Sequence, residues 1–372
     1  MEKKQSTMEN MVRSKLAFQK SKLPTKIFWK NKRIFLTGHT GFKGSWLMLW
    51  LESLGSKVEG YSKDYVTKPY SLFHLLKKKI EKKDIINFKV LEKSIINFNP
   101  DIVIHCAAQS SVSEAFFNCI KTYNTNVIGT VNILEISKKI KKIKIVAIIT
   151  TDKCYEENQS LKFYNEKSSL GGSEPYSSSK ACSEIISKSY LNQYKVLNKK
   201  IITLRAGNVI GGGDWKKNRI IPDFINAKYN NLNLHIRNRQ FIRPWQFILD
   251  CLNGYLLAIE YTFKNKKNFN TWNFSPELKY QKSVNWLAKQ LAIKFSFNLK
   301  KIKFLKIKKY YESSRLNLNS SKANLELGWY PIINDKLLVD WIYDWYKYFY
   351  TKKNIYKICY LQIKKFYNMN SK

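Results

Sequence analysis

Three glycines at a fixed spacing, Gly38, Gly41 and Gly44, constrain this chain more than any other feature of its sequence. They stand in KRIFLTGHTGFKG, after a short apolar run that has the character of a buried parallel strand. The segment that follows, residues 43–54, carries Trp46, Leu47, Leu49, Trp50, Leu51 and Leu54 and stops at Gly55. Its spacing is helical, it is apolar almost all round, and the terminal glycine suits a helix end. With a second strand at 57–61 (KVEGY) this makes a strand–loop–helix–strand unit of about 30 residues. In such a unit the first glycine permits a tight turn and the second lets backbone approach a pyrophosphate. The third lets the helix pack against the strand. Phosphates then face the helix N-terminus, where free N–H groups favour anions, and Lys43 adds charge. The loop predicts a nicotinamide dinucleotide site, the competing reading being a purely structural turn. An acidic residue is expected near the end of the second strand to bond the adenosine ribose. Glu59 and Asp64 are the candidates; Glu59 falls mid-strand, so Asp64 is favoured, and with it NAD over NADP. Lys63 would be the group to meet a 2′-phosphate.

The alternation continues beyond this unit. Strands are expected near 80–85 and at 101–105, 144–151 and 201–206, with helices at 88–98, 123–139 and 176–194. Strands alternating with helices predict an α/β fold, a Rossmann-type doubly wound parallel sheet covered on both faces. After residue 207 the rhythm breaks at a Gly-Gly-Gly-Asp-Trp loop. The expected division is a polar, frayed extension over 1–25, a dinucleotide-binding domain over 26–207, and a smaller C-terminal lobe over 208–349. Parts of that lobe are expected to cross back to the main sheet. A basic, aromatic tail over 350–372 has no assignment.

Composition excludes several classes. At 372 residues and 44% hydrophobic, the chain can bury a core. No stretch approaches the roughly 20 apolar residues of a membrane span, and the first 25 lack the apolar centre of an export signal. The net charge of +39 invites a nucleic-acid reading. However, the lysines spread along the whole length among isoleucines and asparagines, as a coding bias would leave them, so no nucleic-acid partner is expected. Such a field would still attract an anionic small substrate. The six cysteines form no Cys-x-x-Cys pair and the four histidines are scattered, so no metal site is expected. Reduced thiols in the cytoplasm are the simplest reading.

Tyr176 and Lys180 form Y-x-x-x-K on a predicted helix, which puts both on one face. Thr151 and Asp152 fall at the end of the 144–151 strand, the end at which open α/β sheets bind ligands. A tyrosine is a poor base at neutral pH, with an ordinary pKa near ~10. A lysine cation at about 4 Å, in an effective dielectric of about 20, contributes roughly 4 kcal/mol. That equals about 3 pKa units and predicts a phenol poised near ~7. A surface Tyr–Lys pair is the bland alternative in a chain with 23 tyrosines.

The glycine loop, HCAAQS, TNVIGT and YSSSK together resemble the extended short-chain dehydrogenase/reductase family, over roughly residues 28–345. Longer runs, among them TTDKCY, PYSSSKACSE, RAGNVIGGGDW and IRPWQ, resemble its nucleotide-sugar dehydratase branch, with CDP-glucose the implied substrate. The resemblance implies NAD held by Gly38, Thr40, Gly41, Phe42, Lys43, Gly44, Asp64, Asp84, Ile85, Ala107, Ala108, Gln109, Asn126, Tyr176 and Lys180. It implies Asn208, Arg219, Arg237 and Arg243 on the nucleotide sugar, where arginine forks suit phosphate oxygens. It implies Thr151 bonding the sugar 4-oxygen, Tyr176 as base, and Asp152 as acid to the departing 6-hydroxyl. Where many relatives carry glutamate as the C5 base this chain has Lys153, which would act as base or as a cation beside the enolate. Tyr155 reads as a packing residue. A homodimer is expected through Val127, Ile128, Val131, Leu134, Ile185 and Ile186, residues that core packing explains equally well. The implied product is a deoxysugar precursor for a cell-surface glycan of the lipopolysaccharide O-antigen kind. An epimerase or decarboxylase of the same fold stays open, as does a non-catalytic NAD-binding protein, which would show a damaged catalytic set.

Overall fold

Strands that are apolar on both faces need helices on both sides of their sheet, and the chain supplies them in alternation. The computed structural model describes residues 20–63, 72, 83–157, 163–265, 268–277, 281–305 and 317–371. The main sheet contains β1 (Arg33–Thr37), β2 (Lys57–Tyr61), β3 (Ile102–His105), β4 (Ile145–Ile149), β5 (Lys200–Ala206) and the strand Phe269–Phe274. All pairings in it are parallel. The order across the sheet is Phe269–Phe274, β5, β4, β3, β1, β2. This is the doubly wound Rossmann-type fold that the alternation predicts. Strand order reverses between β1 and β3, which opens a ligand crevice beyond their C-terminal ends.

Several elements differ from expectation. The described part of 80–85 is coil and turn rather than strand, and residues 80–82 lie outside the described residues. The helix expected over 123–139 starts at Cys119–Tyr123, passes through a π turn at Asn124–Ile128, and continues as Gly129–Lys139. The turn frees the Asn126 carbonyl to accept from Thr130 Oγ1 (2.6 Å) and Ser183 Oγ (2.9 Å). The helix over 176–194 divides into Pro175–Ser189 and Leu191–Val196.

The unplaced tail has a structural role. Helix Ile355–Ser371 buries Ile355, Ile358, Cys359, Ile363 and Phe366, a helical stripe. The stripe covers helix Phe42–Ser53, where Trp50 lies edge-on to Phe366 at 5.5 Å and donates to Tyr367 at 3.1 Å. That cover explains why the helix after the glycine loop is apolar all round. Nor is the whole N-terminal segment frayed. Lys22 N donates to the Gly328 carbonyl (2.8 Å), Asn253 donates to Ser21, and Thr25 N donates to Glu260. After β5 the chain makes short strand pairs, Leu234–Arg237 with Ile302–Leu305 among them. Helix Ile248–Lys264 then leads it back to the sheet through Phe269–Phe274.

Candidate active site

The glycine loop is close-packed on its own backbone. Gly38 has φ +72°, and a Cβ there would lie 2.6 Å from Ala107 N. A Cβ on Gly44 would lie 2.2 Å from the Gly38 carbonyl oxygen, so helix Phe42–Ser53 can seat on the loop only with glycine there. Under the loop, Thr37 Oγ1 bonds His105 Nδ1 (2.7 Å) and accepts from Ala107 N, which locks β1 to β3. Burial drives the His105 pKa down to about 3, so this ring is neutral. No local pattern around Thr37 or His105 announces that seam.

A cavity of about 790 Å³ runs along the C-terminal ends of the strands. Its wall includes Gly38, Thr40, Gly41, Phe42, Lys43, Gly44, Asp84, Ile85, Ala107, Ala108 and Gln109. Thr151, Asp152, Lys153, Tyr176 and Lys180 line it further along, and Asn208, Arg219, Arg237 and Arg243 line its far side. Two cofactor expectations fare differently. Asp64 lies outside the described residues. Asn126 is buried behind the wall rather than on it: its amide clamps the Gln109 backbone (2.8 and 3.0 Å) and bonds Ser179. It therefore positions the Gln109 loop. Lys63, the alternative 2′-phosphate ligand, is ion-paired with Asp84.

Helix Pro175–Ser189 starts with Glu174, whose carboxylate accepts from Tyr176 N and Ser177 N, and with Pro175 in the first turn. This cap fixes Tyr176 at the helix mouth and Lys180 one turn on. The phenol shares a hydrogen bond with Thr151, which in turn donates to Asp152 (2.9 Å). The end of β4 thus meets the start of a separate helix through Thr151 and Tyr176. The expected poise of Tyr176 near neutral pH is corrected: burial pushes its pKa up to about 12. Lys180 instead donates to the Ile149 carbonyl at 3.0 Å, and burial brings its own pKa down to about 8. In the ligand-free protein Tyr176 should therefore stay a neutral phenol through neutral pH. Difference absorbance between the native protein and Tyr176→Phe checks this; a phenolate appearing near neutrality would contradict it.

Burial also raises Asp152 above the ordinary carboxylate range, against the opposing pull of Lys153, Thr151, Arg243 and Lys43. Gly207 makes room for it, since a Cβ there would lie 3.0 Å from the carboxylate. Behind this set is a buried network that the sequence reading missed. Arg205 grips Glu184 through two bonds (2.8 and 2.9 Å) and donates to the Tyr155 hydroxyl, which bonds Asn273. Thr150, next to Thr151, donates to the same Glu184. Tyr155 is more than packing, because it joins the β4 end to the Phe269–Phe274 strand. Both charges of the pair are buried. Arg205→Leu would strand Glu184 and should lower unfolding free energy by about 3–5 kcal/mol, read by urea denaturation.

On the far wall, Arg219 bonds Asp214 (3.1 Å) and Ser110 (3.3 Å), linking the lobe to the loop after β3. Arg243 is buried, and Asn208 accepts from Gln246 N through its carbonyl. The family model described as GDP-mannose 4,6 dehydratase matches residues 35–341. The chain belongs to this dehydratase family. Within reach of it is a protein of Salmonella typhimurium named CDP-glucose 4,6-dehydratase, 40% identical over 318 residues, 82% of this chain and 88% of that one. A crystal structure of dTDP-glucose 4,6-dehydratase from Bacillus anthracis in complex with NAD matches with TM-score 0.71 and 23% identity. It covers 85% of this chain and 96% of that one. A UDP-glucose 4-epimerase of Thermotoga maritima with UDP-glucose matches with TM-score 0.75 and 21% identity, over 86% and 99%. Dehydratases and epimerases share this fold, so the architecture alone does not choose between the two chemistries.

Proposed function

We propose that this dehydratase-family chain is a lyase that converts CDP-glucose to CDP-4-keto-6-deoxyglucose, with NAD regenerated in every turnover. The observation that carries the reading is a single cavity joining the glycine cradle, an intact Thr151–Asp152–Tyr176–Lys180 set and an arginine-bearing far wall. The similarity to the Salmonella protein supports the choice of nucleotide. An epimerase has no hydroxyl to expel, whereas a buried Asp152 whose pKa is raised by that burial suits the task. A non-catalytic protein would not be expected to keep all four residues.

The cradle fits the cofactor, because Gly38 and Gly44 let the loop and helix close on their own backbone, while Gly41 leaves backbone bare where a dinucleotide phosphate would approach. Bound there, NAD would accept hydride from sugar C4 and return it at C6. Tyr176 takes the proton of the 4-hydroxyl, and Thr151 holds the 4-oxygen in place. Lys180, braced on Ile149, stands one helical turn behind the phenol. Once C4 is a ketone the C5 proton is acidic, and Lys153 is the proposed base that takes it and gives it back to C5 when hydride reaches C6. Asp152 gives its proton to the 6-hydroxyl, which leaves as water. Arg219 and Arg243 meet the pyrophosphate side of the substrate, with Asn208 beside them and Arg237 farther along the nucleotide.

The six free thiols support a cytoplasmic enzyme, and the product would serve deoxysugar synthesis for a surface glycan. A homodimer is proposed on the exposed Ile128 (44%) and Ile185 (54%), which stand on helical segments that pack beside each other. Leu134, also expected at that interface, is core. Ile185→Glu should shift a dimer to monomer in sedimentation; a native protein that sediments as a monomer would contradict the dimer. The function itself is tested by supplying NAD with CDP-, UDP-, dTDP- and GDP-glucose in parallel. The 4-keto product should form fastest from CDP-glucose; no keto product from any of them would defeat the reading.

A further inference from the structure

The direction of the cavity fixes where a substrate base must lie. Its first end is the glycine loop and the β2 end, and its middle is Thr151, Tyr176 and Lys180. A nucleotide sugar with its hexose at that middle must extend its nucleoside toward the lobe. There the wall is formed by Pro222, Leu234, Ile236 and Phe241, apolar surfaces suited to the faces of a planar ring. Two charged side chains stand among them, Asp223 and Arg237.

These two are built as a unit. Asn218, in the left-handed region at φ +65°, donates its N–H to Asp223 Oδ1 (3.1 Å) and accepts from Arg237 Nη2 at its carbonyl (3.3 Å). One residue thus holds a carboxylate and a guanidinium through its two backbone groups, an acceptor and a donor. The charge of Arg237 bears directly on Asp223. Asp214 and Glu114, which also line the cavity, are already ion-paired, with Arg219 and with Lys216.

We propose that Asp223 and Arg237 read the polar edge of the substrate base and select cytosine over uracil and thymine. The proposal rests on the CDP-glucose reading given above and adds the residues that enforce it. Cytosine offers an amino donor at N4 beside acceptors at N3 and O2. A carboxylate accepts from the amino group, as acidic side chains do from cytosine N4 in nucleic-acid grooves, and a guanidinium donates to N3. Uracil and thymine place a carbonyl where cytosine has its amine and an N–H at N3. Against the same pair, acceptor would then face acceptor and donor would face donor. A buried mismatch of this kind is where polar recognition discriminates most strongly.

The test compares kcat/KM for CDP-glucose and UDP-glucose in the native enzyme and in Asp223→Asn. The amide keeps an oxygen for Asn218 N but can turn its NH2 toward the O4 of uracil. The CDP-to-UDP preference should fall roughly 10- to 100-fold, by loss with CDP-glucose and gain with UDP-glucose. If both substrates lose equally, Asp223 serves only the turn at Asn218 and the proposal is overturned. Calorimetric binding of CMP and UMP to the native and variant proteins gives an arm independent of catalysis. If the native enzyme does not dehydrate CDP-glucose, the functional reading fails. Base reading then stands or falls on whether Asp223→Asn alone erases a CMP preference.

Discussion

Tyr176→Phe is expected to lower kcat for CDP-glucose by about 10³-fold, the loss typical of removing a general base. The substitution deletes one oxygen and leaves the ring in its place on helix Pro175–Ser189. Lys180 keeps its bond to the Ile149 carbonyl, so the end of β4 is not disturbed. Dinucleotide affinity should therefore change little, and steady-state turnover measured beside NAD binding separates the two effects. A fall of less than tenfold would assign the proton to another group. The phenol lies high, at about 12, without ligands, so the native enzyme cannot depend on a preformed phenolate. Its activation belongs to the ligand-bound state.

Asp152→Asn should cost about 10²–10³-fold in water loss, because an amide cannot deliver the proton that the 6-hydroxyl needs. The pH dependence follows from burial. The acid form of Asp152 exists below its pKa, and burial raises that pKa, so the working range extends above that of an ordinary aspartate. Native activity should fall as pH rises through the raised value, and Asp152→Asn should lack that limb. Stability has a matching sign. A carboxyl that binds its proton more tightly when folded loses stability as pH rises from the unfolded pKa through the folded one. Across that window the variant should gain stability relative to the native protein. A native profile that shows no such limb would remove Asp152 from the role of acid.

Much of the site is legible in the sequence because sterics force it. Gly38 and Gly44 admit no side chain, so their spacing declares the loop, and the Tyr176–Lys180 spacing declares a helix face. The chemistry of the neighbourhood is less legible. The expectation for Tyr176 considered one lysine in a uniform dielectric, whereas the fold spends that lysine on a backbone carbonyl and buries the phenol. Asn126 falls in a run typical of the family, yet its amide faces the Gln109 backbone because a π turn rotates it off the wall. Glu184, Arg205 and Asn273 come from three separate elements, and no local pattern announces that they share one network. The tail was unreadable for the same reason. Its partner is Trp50, some 317 positions away along the chain, and only the folded sheet brings the two together.

The most direct measurement is mass spectrometry and NMR of the product formed from CDP-glucose deuterated at sugar C4. The account predicts a 4-keto-6-deoxy sugar, lighter by one water, with deuterium at C6. A labelled sugar that keeps its 6-hydroxyl, or a product with no deuterium at C6, would contradict it.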